Sequence, residues 1–150
     1  MPLMIWSDTY SLNFPIIDEQ HQNLFLLVNQ LYDSLHGNKG EFIMDKSLDA
    51  LVAYARVHFI EEEVLMMKSN YPDQEFHQDQ HDFFVRRVFE LQSDYREGHL
   101  NLALPLLDFL TEWLSSHILR ADKDIALHIE RKKAAKPDPT GRGLLQGNPQ

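Results

Sequence analysis

The sequence predicts an all-α fold, an antiparallel up-down-up-down four-helix bundle with an N-terminal extended arm. Two observations carry that prediction. Four stretches repeat core-type residues at steps of three and four, the period of one helical face. The segments between them are short and rich in turn formers. Length and composition agree, since 150 residues with 43% hydrophobic content suit one compact domain with a real core.

The first helix is expected over Asp18 to Leu35, where His21, Leu24, Val28, Leu31 and Leu35 share a stripe and Gln22, Asn23 and Gln30 lie off it. After the turn signals of "HGNKGE", Leu48, Leu51, Ala55, His58, Glu62 and Leu65 recur at helical steps, so the second helix turns two polar residues toward its buried face. "SNYPDQE" ends it, because Pro72 disfavours helical geometry at Tyr71, and Asp73 is placed to cap the third helix. That helix carries His77, His81, Phe84, Val88, Leu91 and Tyr95. The fourth tolerates Pro105 in its first turn and aligns Leu106, Leu110, Trp113 and His117. Ahead of the first helix, an arm is expected to cover one edge of the bundle with Trp6, Phe14 and Ile17. The folded domain is read as 1–130, and 131–150, rich in Pro, Gly and polar residues, as a disordered tail. No interface stripe beyond the core stands out.

Cysteine is absent, which removes disulfides, iron–sulfur clusters, thiolate zinc sites and cysteine nucleophiles. Any metal must be held by nitrogen and oxygen. The first residues lack the basic and apolar regions of a secretory signal, and no segment has the length and apolarity of a membrane span, so a cytoplasmic location without membrane insertion is expected. Net charge is −9, and −13 over residues 1–130, which repels nucleic acid and anionic membranes.

Of the eight histidines, five fall on the inward stripes, at positions 21, 58, 77, 81 and 117. A single buried histidine is ordinarily a hydrogen-bonded packing residue, but five facing one core suggest a common ligand. His77/His81 and His58/Glu62 have the four-residue spacing that lets two side chains converge on one ion. In an up-down-up-down bundle an early first helix, a late second, an early third and a late fourth meet at the same end, so the donors can close one site. Five neutral imidazoles and one carboxylate under-neutralise two divalent ions in a low-dielectric interior, which calls for a second carboxylate. Asp122, five residues after His117, is the candidate. Because five residues is the wrong step for one helical face, the fourth helix is expected to loosen or end near Arg120. Seven protein donors then suit two metals bridged by both carboxylates, with one coordination position open.

The series "IDEQHQNLF", "HFIEEEVLM", "HQDQH" and "WLSSHILRAD", in this order and with helix-length gaps, resembles the hemerythrins, particularly the bacterial type, from about Trp6 to His128. The resemblance implies two non-haem iron ions, bridged by Glu62, Asp122 and an oxo or hydroxo group, that bind dioxygen reversibly. It implies that His77, His81 and His117 complete one iron and His21 and His58 the other, which keeps the open position. Leu114, with Phe59, Trp113 and Ile118, is expected to line the dioxygen pocket. Asn13 stands where many relatives have Gly, which touches no ligand. Glu61 and Glu63 point away from the stripe on either side of Glu62 and are read as solvated or as outer supports of the site. His36, His99 and His128 are given no role.

Apart from any resemblance, a histidine-rich donor set favours carriage over catalysis, because oxygen-activating bundles are carboxylate rich and space their ligands Glu-x-x-His. Three alternatives stand beside a carrier or store. A dioxygen or redox sensor would drive a signalling partner; an oxygen-consuming recipient protein is the partner of a carrier. A di-iron peroxidase or oxidase would need a co-substrate. A structural zinc site is tetrahedral and closed with four ligands, against seven donors here.

Overall fold

The computed structural model describes residues 2–36, 41–97 and 103–135. Four long helices, α1 (Pro15–His36), α2 (Glu41–Lys68), α3 (Gln74–Arg96) and α4 (Ala103–His117), follow a short 3-10 turn at Asp8–Tyr10. A five-residue π-helical turn, Ile118–Asp122, joins α4 to α5 (Lys123–Ala135). Helix α1 packs on α2 and α4, and α3 packs on the same two, which closes the bundle. Cross-helix pairs give the directions. Gln20 meets Glu61 and Asn23 meets Tyr54, while Gln92 meets Asp49 and His81 meets Glu63, so neighbours run antiparallel. The predicted up-down-up-down four-helix bundle is therefore observed.

One half of the bundle core is hydrocarbon. Leu24, Val28, Leu31, Leu48, Leu51, Val88, Leu106 and Leu110 are buried there, each worth roughly 1.5–3 kcal/mol of transfer free energy. Met44 and Met66 join the core, whereas Met67 is exposed. No helix among the described residues is long and apolar enough to cross a membrane.

The helix ends explain several boundaries. Helix α1 begins at Pro15, three residues before the expected Asp18, because proline fits the first helical turn where no N–H partner is required. Ile17 consequently belongs to α1 and not to the arm. Asn13 has φ of 57°, a left-handed conformation that asparagine tolerates and β-branched residues do not. This turn is held by Asp18, which accepts from the Leu12 N–H at 2.9 Å and the Ser11 hydroxyl at 2.6 Å. Upstream, the Met4 backbone exchanges two hydrogen bonds with the Asn29 side chain, at 2.8 and 2.9 Å. Trp6 and Tyr10 pack edge-on against Phe25 at 5.4 and 4.9 Å. The arm is thus pinned along α1.

Helix α2 ends in a left-handed Asn70 (φ 52°), with Tyr71 N–H donating to the Met66 carbonyl at 2.9 Å and Asn70 N–H to Met67 at 3.2 Å. This paired return to the last turn satisfies carbonyls that the helix end leaves open. Asp73 occupies the cap position of α3, but its side chain makes no capping hydrogen bond, contrary to expectation.

Helix α5 corrects the reading of the C-terminal segment. It runs to Ala135, beyond residue 130, because "IERKKAA" is built of good helix formers and the first helix breaker comes only at Pro137. Residues 136–150, the remainder of the expected tail, and His99 lie outside the described residues. His128, given no role from sequence, is half-buried on α5, where it meets the Ser69 carbonyl at 2.8 Å and packs edge-on to Tyr71 at 5.3 Å. It ties α5 to the end of α2.

Candidate metal centre

At one end of the bundle the apolar stripes change chemistry. His21 of α1, His58 and Glu62 of α2, His77 and His81 of α3, His117 of α4 and Asp122 of the π turn all converge, and none is more than 6% exposed. All seven residues singled out from the sequence are brought together.

The expected loosening of the fourth helix is real, but the helix does not end. A π turn closes its hydrogen bonds over five residues instead of four, so the five-residue step from His117 to Asp122 is nearly one full turn there. Asp122 therefore sits under His117, with Oδ1 at 3.1 Å from the imidazole Nε2, and the chain continues into α5 without reversing.

Each carboxylate divides its two oxygens. Glu62 Oε1 lies 2.8 Å from His58 Nε2 and 3.3 Å from His21 Nε2, while Oε2 lies 3.0 Å from His81 Nε2 and 3.4 Å from His77 Nε2. Asp122 places Oδ2 at 3.1 Å from His21 Nε2, and Oδ1 at 3.1 Å from both His77 and His117. The donor atoms form two groups that share both carboxylates: five from Glu62, His77, His81, His117 and Asp122, and four from His21, His58, Glu62 and Asp122.

Outer contacts fix which way the imidazoles face. His58 Nδ1–H donates to the Gln20 amide oxygen at 2.6 Å, and His117 Nδ1–H to that of Gln80 at 2.9 Å. His81 Nδ1 meets Glu63 Oε1 at 3.4 Å. These bonds leave the Nε2 lone pairs turned inward, the arrangement that supports histidine as a metal ligand. Glu61, by contrast, is exposed and bonds to Gln20. The two glutamines were not singled out from the sequence. Their signal is faint but present: each directly precedes a histidine of the cage, in Gln20-His21 and Gln80-His81, and so faces the neighbouring helix about 100° away.

Two features test whether a cation fits. His81 and His117 aim Nε2 at Nε2 across 3.2 Å, although the outer bonds of both place the proton on Nδ1. Two lone pairs so placed repel, and a cation between them accepts both. Asp122 Oδ1, although 3.1 Å from the Nε2 atoms of His77 and His117, has no hydrogen bond among the described residues. The residues fit a nitrogen-rich pair of cation positions.

Electrostatics agree. Burial alone would depress the protonation of His21 and His77, but the Asp122 and Glu62 carboxylates outweigh it and raise both to about 9. Burial would raise Glu62, yet the facing imidazoles, His58 foremost, hold it well below the ordinary carboxylate range. Asp122 is likewise held low by His117 and His21 against burial and the charge of Glu62. The cage is negative enough to retain protons where a cation would otherwise sit.

Apolar side chains pack against several of the donors. Phe59 stacks on His81 at 3.9 Å and Trp113 on His117 at 4.3 Å. Leu114 and Ile118 are buried. On the side of the carboxylates, Leu12, Phe14 and Ile17 meet Leu65, Ile125 and Ile129 over Glu62 and Asp122. The arm and α5 together cover that end.

Fold and site together define a class: helical bundles whose core ends in a buried histidine and carboxylate cage able to hold cations. Within that class the chain belongs to the hemerythrin family. Residues 13–127 match the family model of the hemerythrin HHE cation binding domain. A bacteriohemerythrin of Methylococcus capsulatus strain Bath is 35% identical over 125 residues, covering 82% of this chain and 94% of that protein. The crystal structure of a wild-type hemerythrin superposes with a TM-score of 0.72 at 35% identity, over 81% of this chain and 93% of its own. That of a hemerythrin mutant gives 0.76 at 33% identity, over 85% and 98%.

Proposed function

We propose that the protein binds dioxygen reversibly at a pair of non-haem iron ions, as a carrier, store or delivery protein. The observation that carries this reading is the unequal division of donors, five in one group and four in the other, about two shared carboxylates. His77, His81 and His117 would complete one ion, and His21 and His58 the other. The group with fewer donors keeps a coordination position for an external ligand. When bound, the iron pair supplies the two electrons that dioxygen takes up and later returns.

The chain's own residues serve reversibility. Glu62 and Asp122, shared by the two groups of donors, would help hold both ions. Gln20 and Gln80 orient His58 and His117 by accepting their outer N–H bonds. Phe59, Trp113, Leu114 and Ile118 form the lining that excludes water, whose protons would promote irreversible oxidation. Nitrogen donors outnumber carboxylates, which gives little anionic support to the high oxidation states an oxygenase requires, so binding is favoured over turnover.

The test is optical. Protein loaded anaerobically with ferrous iron should gain a near-ultraviolet and visible charge-transfer band in air and lose it when oxygen is removed. A band that forms once and never fades would replace this reading with an oxidase or peroxidase. Absence of any band, with preference for zinc, would leave a structural site.

A further inference from the structure

Helix α2 has two apolar faces. One carries Leu48, Leu51, Ala55, His58 and Glu62 inward. The opposite face presents Ile43, Ala50, Val57 and Val64 at seven-residue intervals and Ala53, Ile60 and Met67 at the same interval, all exposed. Val57, Ile60 and Met67 are 58–60% exposed. Of the eight positions in this double series only Lys46 is polar. Two interleaved seven-residue repeats are the pattern of a helix that packs along another helix, and from Ile43 to Met67 the series runs about 36 Å along α2. Among the described residues, none of these side chains belongs to the hydrophobic core cluster.

We propose that this face of α2 is the interface with a second copy of this chain, whose α2 lies antiparallel across a two-fold axis. Self-complementarity selects that occupant. With Val57 against the partner's Ile60, the register sets Ala53 against the partner's Val64 and Ala50 against the partner's Met67. A small residue meets a large one at each of these outer layers, which lets the seam close without voids. The flanks match in charge as well: the same register brings Arg56 beside the partner's Glu63, and the two-fold axis repeats the pair. Arg56, Glu63 and Ile60 border one groove with the exposed Phe89 of α3, among the charged Arg86 and Glu90 of that helix. A parallel pairing would instead stack alanine on alanine at two layers and place Lys46 against its own copy.

Sedimentation equilibrium of the full chain tests the surface, and crosslinking tests the direction. The wild-type chain should give a dimer mass, and Ile60→Glu, exposed and remote from the core, should raise the dissociation constant about tenfold or more while the helical circular dichroism is kept. A wild-type monomer at every concentration, or a dimer unaffected by Ile60→Glu, would overturn the proposal. Because the chain has no cysteine, Ala50→Cys and Met67→Cys introduce single thiols. Mixed under oxidising conditions, these two variants should crosslink to each other, and Ala50→Cys alone should not, since its two copies lie about 25 Å apart in the antiparallel register. Self-crosslinking of Ala50→Cys would refute the antiparallel arrangement.

Discussion

The two halves of the bundle are built from the same helices on the same stripes, yet they meet opposite physical problems. In one half, Leu24, Val28, Leu48, Val88 and Leu110 fill the interior with hydrocarbon. One or two turns along the same faces, His21, His58, Glu62, His77, His81 and His117 replace them. The first half supplies folding free energy in any condition. The second removes two carboxylates and five imidazoles from water, a cost that only protons or cations in the cage can offset. The bundle's hydrocarbon half therefore holds its other half open for a charge to be added, and stability should respond differently to damage in each.

The largest effect is expected in the hydrocarbon half. Leu110→Ala should cost about 3 kcal/mol of unfolding free energy, by the same amount with and without metal, in paired denaturant titrations. A penalty that appears only in the loaded protein would erase the distinction between the halves. His77→Ala should do the reverse: iron content falls and dioxygen binding is lost while most helicity remains, as metal analysis and circular dichroism would show. Full iron content and binding in this variant would refute the donor assignment. One step further out, Gln80→Leu removes the acceptor of the His117 Nδ1–H and should weaken metal affinity about 10–100-fold with little change in the stability of the metal-free chain.

Protons sharpen the same contrast. In the metal-free protein His21 and His77 are raised from 6.5 to about 9, so their contribution to stability is fully present below pH 6.5 and is lost as pH rises through about 9. Glu62 and Asp122 are lowered, so theirs is present above their ordinary values of 4.5 and 3.8 and is lost as pH falls below them. The metal-free chain should thus lose stability toward alkaline pH. In the loaded chain, whose imidazoles must be neutral to bind metal, that alkaline loss should disappear and acid should release the metal. Thermal melts at pH 6 and pH 10, with and without metal, measure it. The smallest effect is expected far from both halves, where Arg96→Ala breaks a half-exposed pair with Asp45 and should shift stability by less than about 1 kcal/mol.

Much of this was legible in the residues. Helix period and short connections predict the bundle, and the cage shows itself because polar residues interrupt apolar stripes at matching ends. Asp122 was legible as a donor by its distance from His117, but not the device that delivers it: nothing in "HILRAD" distinguishes a π turn from a helix that frays. The capping at Asn70 and the turn at Asn13 depend on single backbone angles that many sequences could adopt. Gln20 and Gln80 stayed hidden because an amide one residue from a histidine is unremarkable until the neighbouring helix is in place. The outer face of α2 was missed for a different reason. Its seven-residue repeats coexist with the core stripe of the same helix, and a search for one apolar face per helix stops at the first.

The central claim is that the cage is divided to hold a pair of ions. The most direct measurement is the count of ferrous ions bound per chain in an anaerobic titration of the metal-free protein. The donor geometry predicts saturation at two, and reduction of that number in His77→Ala. Saturation at one ion per chain would contradict it, and with it the shared role given to Glu62 and Asp122.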